Sequence, residues 1–351
     1  MAQRRTTLSQ VAALAGVSTA TVNRVIDRSP AVSAETREKV RAVLEQTGYR
    51  PNSLARSVRT RRTYTIGHVI TSIRANPFFV GVAHSVQNAA QVAGYRTMLF
   101  NHSGLPERER RGVESFIDQR VDAVLFCTAT TRHHIQLVRQ AGIPVVEIER
   151  SCDASVPFVR IDNHVGATAA MEHLVRLGHR RIAFIGGDPA TYIRDATRQR
   201  SVEDDRFDAY RSALARHEIP VDNALVRLGE YYRVPGRGEG AIGYQNTREL
   251  LELPSRPTAI FATCDILAAG VLQAIAEAGL SVPDDISVIG FDDTLAFNLT
   301  PPLTTVSQPT EEIGQVAVRI ALALIEGEKV ASETVLPSVL IQRKSTGQCR
   351  E

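Results

Sequence analysis

Residues 7–26 contain two short helical patterns that a single glycine separates. Thr7 and Gln10 have the spacing of a capping box, so we predict that a first helix begins directly after Thr7. Gly16 ends this helix, and Ser18 can cap a second one. Helices of about eight residues are marginal alone, so the segment must pack as a unit. The buried face of the first helix is predicted to comprise Val11, Ala12, Leu14 and Ala15.

The second helix, Thr19–Ile26, has an apolar face for a core and a polar face for a partner. Val22, Val25 and Ile26 are expected to face inward. Two short helices joined by a tight glycine turn can place the second helix in the major groove of DNA. A purely structural helical hairpin is the alternative, but it needs no small, uncharged residues at this position. The outward residues are Thr19, Ala20, Thr21, Asn23 and Arg24.

Charge is distributed unevenly along the 351 residues. Residues 1–62 contain twelve basic and four acidic side chains, which makes this segment +8. The whole chain is +3, so residues 63–351 carry −5. A basic head on a mildly acidic body is typical of a protein that contacts nucleic-acid phosphates. A basic solvated face is the plain alternative, and it would not need to coincide with a helix-turn-helix pattern.

A third helix and a short linker follow the second helix. Ser33 caps the third helix and Gly48 stops it, with a buried stripe of Val40, Val43 and Leu44. Asn52 can then cap a helical piece of eight residues, which is too short to be stable alone. We expect this piece to be ordered when it packs on a second copy of itself on DNA, and to be a flexible linker otherwise.

From Tyr64 onward, strand-like runs alternate with helical patterns. This alternation predicts parallel sheets with covered faces, and residues 64–343 are long enough for two lobes. The predicted strands are Ile66–Ile70, Tyr95–Phe100, Val121–Phe126, Pro144–Ile148, Val159–Asp162, Arg181–Gly186, Ala259–Thr263 and Ile286–Phe291. The predicted helices include Asn163–Leu177, Asp265–Ala278 and Thr310–Ile325.

The chain resembles the lac-repressor and purine-repressor (LacI/GalR) family of bacterial transcription regulators. The resemblance covers residues 6 to about 343 and rests on TLSQVAALAGVSTATVNRV, GYRPNSLARSV, EHLVRLGHRRIAFIGG, ISVIGFDD and PPLTTVSQP in this order. It implies an α/β body of two similar lobes, as in periplasmic sugar-binding proteins, preceded by an all-α helix-turn-helix head. It also implies a homodimer on a pseudo-palindromic operator and a hinge helix that wedges Val58 into the minor groove.

The residue pattern and the resemblance together assign DNA binding to one set of residues. Val58 stands where the family usually has Leu, and Asn23 stands where Ser is common. The assigned residues are Ser18, Thr19, Ala20, Thr21, Asn23, Arg24, Asn52, Ala55, Val58 and Arg59. We expect Arg24 to read a base and the arginines at the hinge to hold phosphates.

Polar residues follow several predicted strands of the body, where parallel sheets bind ligands. Arg206 and Tyr231 are added by the resemblance, as matches to an effector contact and to an aromatic that covers the ligand. Each Asp or Asn after a strand has a simpler alternative role as a helix cap. The ligand candidates are Asn76, Phe78, Glu149, Arg150, Asp162, Arg206, Tyr231, Asp265, Asp292 and Gln308. This mixture suits a sugar or a sugar acid.

Other signals restrict the function class. The four cysteines have neither metal nor paired spacing, and no P-loop, HExxH or Ser/His/Asp pattern is present. We therefore predict no cofactor, no metal and no enzymatic activity. No signal peptide or membrane-spanning run is evident, which favours the cytoplasm. The tail lacks a heptad repeat for a tetramer, so a dimer is expected.

The predicted organisation is a DNA-binding domain at 1–50, a hinge at 51–62, a two-lobe effector and dimerisation domain at 63–343, and a tail at 344–351. The predicted function is a ligand-responsive repressor of a sugar or sugar-acid operon. The alternatives are a sugar-binding protein of the transport type, a regulator that senses a nucleoside or purine, and an enzyme fused to a DNA-binding domain. Segments 188–205 and 232–243 are longer than the family pattern and border the expected cleft.

Overall fold

The structure is a computed structural model that describes residues 6–26, 30–49, 57, 60–73, 76–191, 194, 196, 198–231 and 241–350. The chain divides into two compact units, which we call the head (residues 1–63) and the body (residues 64–351).

The described part of the head is built from helices around a small apolar core. The helices are α1 (Leu8–Ala15), α2 (Thr19–Ile26) and α3 (Ala34–Thr47). Thr7 and Gln10 form the predicted capping box, and Gly16 ends α1 with a φ of 64°. Ser18 caps α2 by accepting a hydrogen bond from the backbone of Thr21. The core comprises Val11, Ala12, Ala15, Val22, Val25, Val32 and Val40.

Leu14 departs from the predicted buried face of α1, because its side chain is 63% exposed. Val11, Ala12 and Ala15 are buried and define the centre of that face. At 3.6 residues per turn, Leu14 lies roughly 100° around the helix from this centre. The prediction that Leu14 is buried is therefore wrong. Leu8 packs partly against the core instead.

Two sheets form the body. The strands are β1 (Thr65–Ile70), β2 (Arg96–Asn101), β3 (Ala123–Cys127), β4 (Val145–Ile148), β5 (Phe158–Ile161), β6 (Ile182–Gly187), β7 (Val226–Gly229), β8 (Ala259–Ala262), β9 (Ser287–Asp292), β10 (Thr304–Ser307), β11 (Glu333–Leu336) and β12 (Val339–Ile341). The first sheet has the order β11-β5-β4-β3-β1-β2, and all its pairs are parallel. The second has the order β12-β10-β9-β8-β6-β7, with only the β10–β12 pair antiparallel.

Helices cover the faces of both sheets, as parallel sheets require. They are α4 (Pro77–Val92), α5 (Pro106–Asp118), α6 (Arg132–Gln140), α7 (Asn163–Arg176), α8 (Val202–Arg216), α9 (Ala241–Leu251), α10 (Asp265–Glu277) and α11 (Thr310–Ile325). Within the described chain, each sheet with its helices forms one lobe. We call residues 64–161 and 309–337 lobe 1, and residues 163–307 and 339–350 lobe 2.

The described chain passes between the lobes at three places. The passages lie at Asp162 before α7, at Gln308 before α11, and at Ser338 between β11 and β12. The hydroxyl of Ser338 donates a hydrogen bond to the backbone carbonyl of Asp162, at 2.9 Å. The first and third passages are therefore tied together beside the cleft between the lobes. The two-lobe α/β architecture is as predicted.

All eight predicted strands of the body are present, with ends that differ by one or two residues. A ninth strand, which the run Leu303–Ser307 before Gln308 predicts, is also present as β10. Three strands were not predicted, namely β7, β11 and β12, and each is an edge strand of its sheet. Edge strands are short and partly exposed, so they lack the continuous apolar run that identifies a buried parallel strand.

Residues 344–350, which the sequence analysis assigns to a tail, pack on lobe 2. Ser345 is fully buried, and its hydroxyl donates to the carbonyl of Val288 at 2.6 Å. The backbone N–H of Cys349 donates to the carbonyl of Leu177 at 2.8 Å. The buried hydroxyl of Ser345 is thus satisfied by a backbone group, whereas Lys344, Gln348 and Arg350 are exposed to solvent.

One glycine allows a close helix contact in lobe 2. A Cβ atom on Gly243 in α9 would lie 2.1 Å from the backbone carbonyl oxygen of Leu267 in α10. We expect Gly243→Ala to lower the free energy of unfolding by about 1–3 kcal/mol, because the helices must separate. Gly229→Ala is the matched control, since a Cβ there meets nothing within 4 Å. Thermal unfolding of both variants checks this, and equal stability would contradict it.

Candidate functional site

The start of α2 forms a polar surface on the head. Ser18, Thr19, Ala20 and Arg24 are exposed, and Thr21 and Asn23 are half-buried. Val22 and Val25 hold the opposite face of the helix in the core. The surface predicted for DNA is therefore available to a partner. The other predicted DNA-binding residues, Asn52, Ala55, Val58 and Arg59, lie outside the described residues.

Asp292 lies at the centre of the cleft between the lobes. It ends β9 of lobe 2, and its carboxylate accepts a hydrogen bond from the Asn76 amide of lobe 1 at 2.8 Å. The Gln308 amide, at the second passage between the lobes, donates to the other oxygen at 2.6 Å. Three residues that lie far apart in the sequence, all of them predicted ligand candidates, are thus brought together in one hydrogen-bonded group that spans both lobes.

The backbone and the carboxyl of Asp292 are both unusual. Its φ is 110°, which is uncommon for any residue other than glycine and costs about 1–3 kcal/mol. Burial raises the pKa of this carboxyl to about 7, although the charge of Arg206 and the Asn76 hydrogen bond oppose the rise. Strain and a shifted pKa at one residue in a cleft are typical of a functional position.

Arg206 is buried on the lobe 2 side of the same cleft. Its Nε donates to the Asn163 side-chain oxygen at 3.0 Å, and one terminal nitrogen donates to the backbone carbonyl of Thr263 at 2.7 Å. Its guanidinium lies 3.9 Å from the centre of the Phe291 ring. These partners are all neutral, so the arginine is fixed in place while its positive charge is not cancelled by a carboxylate contact.

Arg150 and Glu203 form a buried ion pair between the lobes. Arg150 follows β4 of lobe 1, and Glu203 lies in the first turn of α8 in lobe 2. Two nearly parallel hydrogen bonds, of 2.7 and 2.6 Å, join the guanidinium to the carboxylate. Burial would raise the pKa of Glu203, but the charge and hydrogen bonds of Arg150 outweigh it and lower that pKa.

Glu203 was not among the predicted ligand candidates. A signal for it was present, because Glu203 precedes Arg206 by three residues and therefore lies one turn earlier on the same helix face. Glu149 is next to the pair, and its carboxylate accepts a hydrogen bond from the Thr128 hydroxyl at 3.2 Å.

Two predicted ligand candidates make the contacts of structural residues. Asp162 caps α7, because its side chain accepts a hydrogen bond from the backbone of Val165 at 3.0 Å. Asp265 accepts hydrogen bonds from the backbone of Thr294 and Leu295, and from the Thr305 hydroxyl at 2.7 Å. Asp162 is therefore the helix cap that the sequence analysis gave as the alternative, whereas Asp265 holds the loop that follows β9.

The two aromatic candidates are buried. Phe78 is the second residue of α4. Its ring lies in the core of lobe 1, where it packs edge-to-face on the ring of Phe79. The Tyr231 hydroxyl accepts a hydrogen bond from Thr263 at 3.4 Å, and its ring packs beside Glu203 over Gly187. Tyr231 therefore adjoins the ion pair, whereas Phe78 is part of the core directly after Asn76.

Two polar atoms in the same region are buried and lack a hydrogen-bond partner among the described residues. They are the side-chain oxygen of Gln308 and the hydroxyl of Thr71, which follows β1. Burying such atoms without a partner costs free energy, and a ligand hydroxyl could satisfy them. Thr71 is a ligand candidate that the sequence analysis missed.

The long segments near the cleft are described in part. In segment 188–205, the backbone of Ala196 donates to the carbonyl of Ser151 in lobe 1 at 3.2 Å, and Arg198 pairs with Asp205. This segment therefore contacts both lobes. Most of segment 232–243 lies outside the described residues. No helix in the described chain has the length and apolar character needed to cross a membrane.

Comparison with known proteins agrees with both parts of the structure. Residues 7–52 match the family described as bacterial regulatory proteins, lacI family, and residues 171–346 match the periplasmic binding protein-like domain. The ribose operon repressor of Escherichia coli (strain K12) is 35% identical over 344 residues, which cover 97% of this chain and 99% of that protein.

Two solved structures are similar over almost the whole chain. The complex of the transcriptional regulator CelR with cellobiose has a TM-score of 0.70 and 33% identity, covering 97% of this chain and 100% of that chain. The lac repressor dimer bound to operator and an anti-inducer has a TM-score of 0.77 and 30% identity, covering 98% and 100%. This chain belongs to the LacI family of bacterial regulatory proteins and is a ligand-responsive, DNA-binding transcriptional regulator.

Proposed function

We propose that this regulator represses an operon for the use of a sugar or sugar acid and that the sugar itself is the effector. The hydrogen-bonded group of Asp292, Asn76 and Gln308 carries the proposal. The carboxylate can accept hydrogen bonds and the two amides can both donate and accept them, which is what a polyhydroxylated ligand requires. The relatives named for ribose and cellobiose support the same class of ligand.

The cleft also suggests how the effector acts. Asn76 of lobe 1 and Asp292 of lobe 2 contact each other directly, so a ligand that binds between them must alter how the lobes meet. The ligand shifts the lobe arrangement only by its difference in affinity for the two arrangements. We infer that this shift in the body controls operator binding by a homodimer of the chain, as in the lac repressor dimer on its operator.

A thermal-shift screen of sugars, sugar acids, polyols and nucleosides tests the proposal. A ligand present at 100 times its Kd adds about 2.7 kcal/mol to the free energy of unfolding. We expect a sugar to stabilise the protein and to change its affinity for promoter DNA. Stabilisation by a nucleoside alone would instead identify a purine or nucleoside sensor.

Arg24 is expected to read a base in the operator. Its side chain is exposed on α2, and an arginine can hold guanine with two hydrogen bonds in the major groove. Arg24→Ala should cost roughly 1–3 kcal/mol per half-site and relax the preference at one base pair. Binding to operator variants, each with one altered base pair, measures this effect.

Arg61→Ala serves as the comparison for Arg24→Ala. An arginine that contacts a phosphate contributes to the salt dependence of binding but not to base preference. The Arg61 variant should therefore flatten the salt dependence and keep the preferences of the wild type. If Arg24→Ala weakened binding to all operator variants equally, its base-reading role would be wrong.

A further inference from the structure

Three arginines close to the Arg150–Glu203 pair have carboxylate partners of their own. A narrow crevice beside the pair is lined by residues of both lobes, among them Glu149, Arg160, Arg198 and Arg200. Arg160 pairs with Glu333. Arg198 pairs with Asp205, and Arg200 pairs with both Asp205 and Asp208. The positive charges of these three arginines are therefore balanced by neighbouring carboxylates.

The charged side chains that the structure describes in this part of the cleft carry no net positive charge. Arg150 is committed to Glu203 by two hydrogen bonds, and its side chain is 9% exposed while that of Glu203 is fully buried. Among the described residues, Arg206 makes its hydrogen bonds to neutral groups, and Asp292, Glu149 and Glu203 are nearby carboxylates that act on its charge. Among the described residues of this part of the cleft, the charges of Arg150 and Arg206 are thus matched by those of Glu149 and Glu203, with Asp292 beside them, which leaves no surplus cation for an anionic ligand.

We propose that the effector site selects a neutral polyhydroxylated ligand over the phosphorylated or carboxylated form of the same sugar, and that Glu203 enforces this choice by neutralising Arg150. The inference rests on the proposed function and narrows it from a sugar or sugar acid to an uncharged sugar. An anionic group could bind Arg150 only by displacing Glu203, which would leave a carboxylate buried without its partner. Losing one partner of a buried pair is strongly unfavourable.

The wild-type protein is tested by isothermal titration calorimetry with matched ligands. The pairs are D-ribose with D-ribose 5-phosphate and D-glucose with D-glucose 6-phosphate and D-gluconate, so that phosphate and carboxylate are separate arms. We expect the neutral member of the pair that binds to have a Kd lower by on the order of 100-fold, the scale set by a buried unpaired charge. A phosphate or a carboxylate ligand that binds as tightly as its neutral partner would overturn the inference.

Two variants then test the role of the ion pair. Glu203→Gln keeps the shape of the side chain and removes its charge, so Arg150 becomes available to an anion. We expect the preference for the neutral ligand to shrink at least tenfold. The double variant Arg150→Gln/Glu203→Gln removes the cation as well. No free cation is then available to an anionic ligand, so the preference for the neutral ligand should return. Glu249→Gln is the matched control, since it removes the same charge from an exposed pair with Arg227 on lobe 2.

The outcomes separate this inference from the proposed function. If no sugar of the thermal-shift screen binds the wild type in either its neutral or its anionic form, sugar sensing is wrong and the inference falls with it. If a neutral sugar binds but Glu203→Gln keeps the full preference, the ion pair does not enforce selection and only the inference fails. Thermal unfolding of each variant reports folding. If Glu203→Gln does not fold, the double variant is the remaining test. No cation is left at position 150 in that variant, so loss of its preference for the neutral ligand would contradict the proposed role of Glu203.

Discussion

The isolated segment 1–62 is expected to bind operator DNA roughly 100- to 10,000-fold more weakly than the full-length protein. In a dimer, two linked heads engage two half-sites, and binding of the second head becomes an intramolecular event. An isolated head has only its own contacts, and the piece that Asn52 begins is too short to be a stable helix alone. Fluorescence anisotropy with one labelled operator, at a single salt concentration, measures both affinities.

A fusion of segment 1–62 to a dimeric coiled coil is the control for this truncation. It should recover a large part of the affinity, because it restores the link between two heads without the body. The salt concentration must be held constant because phosphate contacts make the affinity strongly salt-dependent. Equal affinities of the isolated segment and the full chain would reject the coupling of head and body that the proposed function requires.

Asp292→Ala is expected to abolish the response to effector while operator binding without effector stays largely intact. The substitution removes the acceptor of two hydrogen bonds and leaves the amides of Asn76 and Gln308 without their partner. We expect the effector to bind about ten- to 100-fold more weakly, which corresponds to the roughly 1–3 kcal/mol lost when a buried polar group loses its partner. Operator binding with and without effector, for wild type and variant, is the measurement.

Asp285→Ala provides the matched control for Asp292→Ala. Asp285 accepts a hydrogen bond from the backbone of Ser281 and lies before β9, at the opposite end of the strand from Asp292. We expect this variant to keep the effector response. A normal response of Asp292→Ala at the same effector concentration would remove Asp292 from the site. Loss of operator binding without effector would show that Asp292 is structural.

Much of the fold followed from local patterns. The capping box of Thr7 and Gln10, the cap at Ser18 and the glycine after α1 are local signals, because each depends on residues within one helical turn. The central strands of the body were predicted because buried parallel strands are continuous apolar runs. The edge strands β7, β11 and β12 were not predicted, because partly exposed strands of three or four residues lack such apolar runs.

The ligand candidates were identified by their position after strands, and that rule could not separate ligand contacts from caps. Asp162 directly follows β5, and Asp292 is the last residue of β9. The first accepts a hydrogen bond from its own helix, whereas the second accepts hydrogen bonds from residues 216 and 16 positions away. No local pattern distinguishes these two cases, because the partners of Asp292 come from other parts of the fold.

The amino-acid pattern alone was sufficient to predict the helix-turn-helix and the alternation of strands and helices, and it indicated the edge of the sheets at which we expect a ligand to bind. These features arise from hydrophobic periodicity and capping, which act over a few residues. The folded chain was needed to find the pairing of Arg150 with Glu203 and the contact of Asn76 with Asp292. Each of these contacts joins the two lobes, so it depends on how separate sheets meet, and that arrangement is set by long-range packing.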